Sequence, residues 1–150
     1  MRALIALHIG AGWPRLRAHS AALILPRSML IFVYGTLLRG ESNHRELGPA
    51  RYLAEARTLP RYELVDLGHY PALLEHGHDA VSGELYDVPD SWVAHLDLFE
   101  DVPTLYERKT IALASGAAIG YVMRRELAGA APRIASADWR AARAKKPAPL

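Results

Sequence analysis

Leu30-Ile31-Phe32-Val33-Tyr34 is an unbroken run of bulky apolar residues that stops at Gly35. A run this short, rich in β-branched and aromatic side chains and closed by a glycine, predicts a buried strand. A buried strand needs neighbours, so the rest of the chain is read for what can supply them. Gly40 marks a second bend, and Asn43 is placed to cap a short helical piece through Leu47 before Gly48-Pro49 stops it. Arg51–Leu59 and Tyr62–Leu67 read as strands, followed by a turn at Gly68 and the segment Tyr70–Leu74. His76-Gly77-His78-Asp79 reads as a turn. Ala80–Val88 alternates as a strand, with Gly83 where something approaches closely.

Pro89-Asp90 then opens a helix, with Asp90 as its N-cap and Val93, Leu96 and Phe99 on its apolar side. Leu105–Leu113 and Ala117–Met123 read as two strands joined by Ala114-Ser115-Gly116, a hairpin signal. A last short helix is expected over Ser136–Arg143. Many short strands, few helices and no βαβ rhythm predict an α+β domain with a mainly antiparallel or mixed, curled sheet.

A chain of 150 residues is long enough for one domain with a core and one small-molecule pocket. It contains no cysteine, which removes disulfides, thiolate nucleophiles and cysteine metal sites, and fits a reducing compartment; a cytoplasmic location is expected. The net charge of +2 hides an uneven distribution. Residues 1–40 carry five arginines and no acid, and residues 124–150 carry seven basic residues and two acids. Residues 41–123 carry six basic residues against fourteen acids, a net of −8. An acidic core repels phosphate backbones, so nucleic acid is not an expected partner. The apolar stretches Ala3–Trp13 and Ala21–Leu25 fall short of the roughly 18 residues that a membrane helix needs, so no membrane partner is expected either. Met29 precedes the first clear strand. Residues 1–28 are therefore expected to be a poorly ordered extension, residues 29–139 the domain, and residues 140–150 a basic, fraying tail.

Two places carry chemistry. In a helix over 90–100, Val93, Leu96 and Glu100 share one face, so the face that buries apolar side chains carries a carboxylate inward. Burial, the negative helix end and the nearby Asp97 and Asp101 all disfavour its charged form, which would make it a proton shuttle at neutral pH. An exposed acid at a fraying helix end is the alternative from spacing alone. The Tyr34–Gly40 loop is the second place. A strand ending in glycine presents backbone N–H groups able to hold a carboxylate or oxyanion, and Thr36 adds a hydroxyl. Alone it is also compatible with an ordinary turn. His76 and His78, beside Glu75 and Asp79, read as a solvated turn, and no metal is expected. His44 lies just after the loop and is placed to cap or pack it. No serine has the setting of a hydrolase nucleophile.

Together these pieces resemble one family. Phe32-Val33-Tyr34-Gly35-Thr36-Leu37-Leu38-Arg39-Gly40-Glu41-Ser42-Asn43-His44 is similar to the opening motif of the γ-glutamylamine cyclotransferase branch of the γ-glutamylcyclotransferase-like, or AIG2-like, family. Gly83-Glu84-Leu85-Tyr86-Asp87-Val88 resembles that family's second block. Leu96 to Pro103, with Leu105-Tyr106-Glu107-Arg108, resembles its third. The resemblance covers roughly Met29 to Trp139. It implies a small curled mixed β-sheet or barrel with packed helices, and a catalytic role for Glu100. It also implies a γ-glutamyl head group bound by Tyr34, Gly35, Thr36 and Leu37, with Tyr106 shaping the pocket, and no metal or organic cofactor. The implied reaction converts a small γ-glutamyl amide to 5-oxoproline and a free amine. A non-catalytic γ-glutamyl-binding protein of the same fold is the alternative. The late strand departs from the family, with Tyr121 followed by Met123-Arg124-Arg125, and Ala137-Asp138-Trp139 has alanine where the family's glycine stands. Both bear on the far wall of the pocket and leave the leaving-amine preference open; the oligomeric state is not read from the sequence.

Overall fold

A computed structural model describes residues 27–146. The order expected of residues 1–26 and 147–150 lies outside that span. Along the chain come β1 (Ser28–Val33), a 3-10 helix (His44–Leu47), β2 (Arg51–Arg57), β3 (Tyr62–Asp66), β4 (Pro71–Glu75) and β5 (Ser82–Pro89). Then follow α1 (Asp90–Phe99), β6 (Glu107–Leu113), β7 (Gly116–Val122), α2 (Arg125–Ala128) and α3 (Trp139–Ala144). The fold is α+β, as the pattern of short strands predicts.

β1 is the central strand of a five-stranded sheet ordered β2-β5-β1-β7-β6. It pairs antiparallel with β5, Phe32 opposite Leu85, and parallel with β7, Ile31 opposite Ile119. The β2–β5 and β6–β7 pairs are antiparallel. The sheet is thus mixed through a single parallel pair. β3 and β4 form a separate antiparallel hairpin. A bridge between Thr58 and Leu113 joins the ends of the outer strands β2 and β6. Leu59 N donates to Ala112 O at 2.9 Å and Ala114 N to Arg57 O at 2.9 Å, so the sheet curls nearly shut at that corner. Ile31, Phe32, Leu64, Leu73 and Ile111, all fully buried, form the heart of the core. No described helix is long and apolar enough to cross a membrane.

Gly83 shows why its position in β5 excludes a side chain: a Cβ there would lie 2.6 Å from the Phe32 ring and 2.2 Å from Val33 O. This is the close approach that the isolated glycine predicts.

Some local expectations need correcting. Asn43 stands at the cap position of the 3-10 helix but its side chain makes no capping bond there, because its amide is turned onto Thr36 instead. Asp90 is not the N-cap of α1 either; Pro89 occupies that position and Asp90 is the first helical residue. Ser28 already pairs with Pro89, and Asp90 N donates to Arg27 O at 3.0 Å, so ordered structure starts before Met29. At the other end α3 starts at Trp139, capped by Asp138 accepting from Ala141 N at 3.0 Å, and not at Ser136. The expected fraying point falls inside this helix. Trp139, only 1% exposed, anchors it. Arg140, Arg143 and Lys146 pair with Glu84, Glu41 and Asp66. The short α2 has too few residues to show a helical period, and the sequence reading missed it.

Candidate active site

Beyond β1 the chain makes the loop that carries the first set of candidate residues. Tyr34, buried to 7% exposure, donates its hydroxyl to Tyr121 O at 2.7 Å and accepts from Leu73 N at 3.3 Å. One phenol thus bolts the end of β1 to both β7 and β4. Burial pushes its pKa well above the phenol's ordinary value, so it stays neutral. A Cβ on Gly35 would lie 2.6 Å from Pro71 Cγ. The glycine is therefore required by the neighbouring β4 residue, a constraint set by the protein itself and not only by the approach of a ligand.

The next turn uses up its carbonyls. Gly35 O accepts from Leu38 N at 3.1 Å, Thr36 O from Asn43 N at 2.9 Å, and Leu37 O from His44 Nδ1 at 2.9 Å. Asn43 Nδ2 also donates to Thr36 Oγ1 at 3.1 Å. By contrast, the backbone N–H groups of Gly35, Thr36 and Leu37 donate to nothing among the described residues. Spent acceptors beside unspent donors leave the turn with positive character, suited to a carboxylate or oxyanion.

What fixes the turn from behind is a cluster whose role the sequence reading did not foresee. Glu84 in β5 is fully buried. Its carboxylate accepts from Arg39 N and Arg39 Nε, each at 2.9 Å, from Arg140 at 3.0 Å and from Tyr86 Oη at 3.1 Å. Arg140 also donates to Arg39 O at 2.7 Å, and the Arg39 guanidinium lies 3.7 Å above the Tyr52 ring. Burial alone would raise the carboxyl's pKa, but these donors outweigh it and hold the pKa below its ordinary value. Arg39 and Glu84 were legible only as letters of the family motifs.

Glu100 arrives from another element, as the residue that caps the end of α1. Val93 and Leu96 on its face are buried at 4% and 0% exposure, so the helical spacing aims it inward as expected. Its backbone N–H closes the helix on Leu96 O at 2.9 Å. Its carboxylate makes no hydrogen bond to another described residue, and burial pushes its pKa up to about 7. The like charges proposed to help do not act. Asp97 accepts from Tyr121 Oη at 2.9 Å and lies 3.7 Å from Arg108 Nε, which leaves burial as the cause.

Loop and helix end meet around a cavity of about 360 Å³. All six expected residues line it: Tyr34, Gly35, Thr36, Leu37, Glu100 and Tyr106. Tyr106 donates to Pro71 O at 2.9 Å and is kept neutral by burial. The sequence reading missed the walls supplied by Tyr70, Pro71, Phe99 and Leu105; Tyr121, singled out there in the late strand, also lines the cavity. Phe99 was read as core and is 37% exposed; its place next to Glu100 was the available signal. Tyr70 had none. The turn at His76–Asp79 lies elsewhere: Arg133 holds Asp79 through two 2.8 Å bonds and Lys109 holds Glu75 at 2.7 Å. Among the described residues no group of three or more His, Cys, Asp or Glu side chains is placed to hold a metal.

This arrangement has relatives. A family profile described as gamma-glutamyl cyclotransferase, AIG2-like, matches residues 31–141. A Vibrio cholerae protein named "Putative gamma-glutamylcyclotransferase" is 46% identical over 110 residues, covering 73% of this chain and 94% of its own. The human gamma-glutamylaminecyclotransferase is 43% identical over 91 residues, which are 55% of this chain and 60% of the human one. The crystal structure of an AIG2-like protein from Mus musculus superposes with a TM-score of 0.61 at 28% identity, over 72% of this chain and 86% of that one. The profile spans the loop, the Glu84 cluster and Glu100 alike. This chain belongs to the AIG2-like γ-glutamyl cyclotransferase family.

Proposed function

We propose that the protein is a γ-glutamylamine cyclotransferase, converting a γ-glutamyl amide to 5-oxoproline and a free amine. The observation that carries this reading is the pairing of one unpartnered inward carboxyl, with a pKa of about 7, and three unspent backbone donors across one small cavity.

The substrate carries its own nucleophile, so the cavity has only to fold the α-amine against the γ-carbonyl; effective molarity supplies much of the rate. Glu100 takes a proton from the α-ammonium. The freed nitrogen attacks the γ-carbon, a ring C–N bond forms, and the carbonyl electron pair moves onto oxygen. The N–H groups of Gly35, Thr36 and Leu37 face that developing charge or the substrate's α-carboxylate. When the carbonyl re-forms, the exocyclic C–N bond breaks. Two protons pass in all from the attacking nitrogen to the departing one, carried by Glu100 as base and then as acid. The lactam keeps one hydrogen and the amine leaves as an ammonium. A carboxyl with a pKa near 7 suits both halves of this exchange. Tyr34 and Tyr106, held neutral with their hydroxyls engaged, shape the walls and carry no proton.

The reading is tested by incubating the protein with γ-glutamyl amides and assaying 5-oxoproline. Release that vanishes in Glu100→Gln supports it. Free glutamate instead of 5-oxoproline, or full turnover by Glu100→Gln, refutes it. Saturable binding without any product would make the protein a binder.

A further inference from the structure

The walls around Glu100 carry information about the amine that leaves. Among the described residues that line the cavity, Glu100 is the one carboxylate and His69 the one imidazole, and there is no lysine and no arginine. The polar groups Thr36, Ser42 and Asn43 all come from the β1 loop, the side assigned to the γ-glutamyl head. The remaining lining on which a leaving group can rest comes from His69 and Tyr70 just before β4, Pro71 at its start, Phe99 at the end of α1 and Leu105 beyond it. Tyr70 and Phe99 are each 37% exposed, so this lining reaches the opening. Of the charges that neighbour these residues along the chain, Asp97 is committed to Tyr121 and Arg108, Glu107 to Arg124 and Lys109 to Glu75, while Asp101 is exposed to solvent.

From this division, and resting on the cyclotransferase reading, we infer that the preferred substrates are γ-glutamyl conjugates of uncharged, aliphatic or aromatic monoamines. Amines that carry a second ammonium and a carboxylate, as an ε-linked lysine does, are disfavoured. A cavity of about 360 Å³ holds the head group together with a leaving group of a few carbons or one ring. An apolar leaving group covers Tyr70, Phe99 and Leu105 and gains from the surface removed from water. A zwitterionic one brings two charges to a wall whose only imidazole is His69 and which has no lysine or arginine, and must leave them solvated at the rim or lose their hydration. Specificity here comes as much from the missing counter-charges as from the apolar contact.

A matched pair isolates the effect. γ-Glutamyl-n-pentylamide has the same five-carbon chain as γ-glutamyl-ε-lysine without the lysine α-ammonium and α-carboxylate. Comparing kcat/KM for 5-oxoproline release, the pentylamide is expected to be favoured by about tenfold, the scale of bringing charged groups to a wall without counter-charges. Tyr70→Ser, at a partly exposed position that tolerates substitution, is expected to narrow the ratio. Equal turnover or a preference for the ε-lysine conjugate overturns the inference while leaving the cyclotransferase reading standing. An unchanged ratio in Tyr70→Ser removes the wall as its cause and overturns it too. No 5-oxoproline from either compound overturns the reading itself, and the inference with it.

Discussion

Two acids are tucked into this small fold, and their surroundings could hardly differ more. Glu84 is tied to the Tyr34–Gly40 loop with no exposed surface, and four donors from Arg39, Tyr86 and Arg140 hold it ionised. Glu100 lines the same cavity as the loop, largely out of water, with no donor of its own among the described residues and a pKa of about 7. Burial disfavours charge at both positions; what differs is the set of donors. One carboxylate therefore acts as a structural anion that fixes the turn. The other remains free to exchange a proton.

If that contrast is right, removing each carboxyl has a different consequence. Glu100→Gln is expected to lower 5-oxoproline release by about a thousandfold, the usual scale for losing a general acid–base, with the fold intact by circular dichroism. Glu84→Ala acts on stability. It strands the Arg39 N–H and the Tyr86 hydroxyl and uncouples α3 from the loop, at a cost of about 3 kcal/mol in urea unfolding. Because Arg39 and Arg140 are partly exposed and can recover water, the loss stays below that of a fully buried pair.

The two acids also bend the stability profile in opposite directions. The folded-state pKa of Glu100 is raised from 4.5 to about 7, so the folded protein binds the extra proton between those values. Its stability relative to Glu100→Gln is then expected to fall as pH rises from 4.5 to 7, by up to about 3 kcal/mol, and to level off above. Glu84 has a depressed pKa, so its contribution is present above the ordinary carboxylate pKa and is lost as pH falls through the folded value. Urea midpoints of the wild type, Glu100→Gln and Glu84→Ala measured across about pH 2 to 8 separate the two slopes, the Glu84 one below the ordinary carboxylate range and the Glu100 one above it. The smallest effect is expected at the loop itself. Gly35→Ala forces a methyl into Pro71, costs about 1–3 kcal/mol, and raises KM more than it lowers kcat because it moves the donors and leaves Glu100 in place.

Local chemistry in the sequence announces the parts of this site that depend on it. The strand that places Tyr34 shows in the run ending at Gly35, and the inward aim of Glu100 follows from its spacing to Val93 and Leu96. What depends on distant neighbours could not be read. Gly35 is required by Pro71, 36 positions on, and Asn43 abandons the cap for Thr36. Asp97 looked like a repelling charge until Tyr121 and Arg108 were found beside it. Arg140 looked like part of a loose tail, but the anchored Trp139 delivers it to Glu84. Closure of the sheet through Thr58 and Leu113 joins residues more than fifty positions apart, and no period in the sequence encodes that pairing.

The contrast between the acids is most directly tested by a carbon-13 titration of the glutamate side-chain carboxyls, with Glu100→Gln and Glu84→Gln assigning the two signals. A Glu100 midpoint near 7, with Glu84 ionised throughout the same range, is the predicted result. A Glu100 midpoint near the ordinary 4.5 contradicts the account, because a fully ionised carboxylate at neutral pH would be poorly matched to returning the proton to the leaving amine.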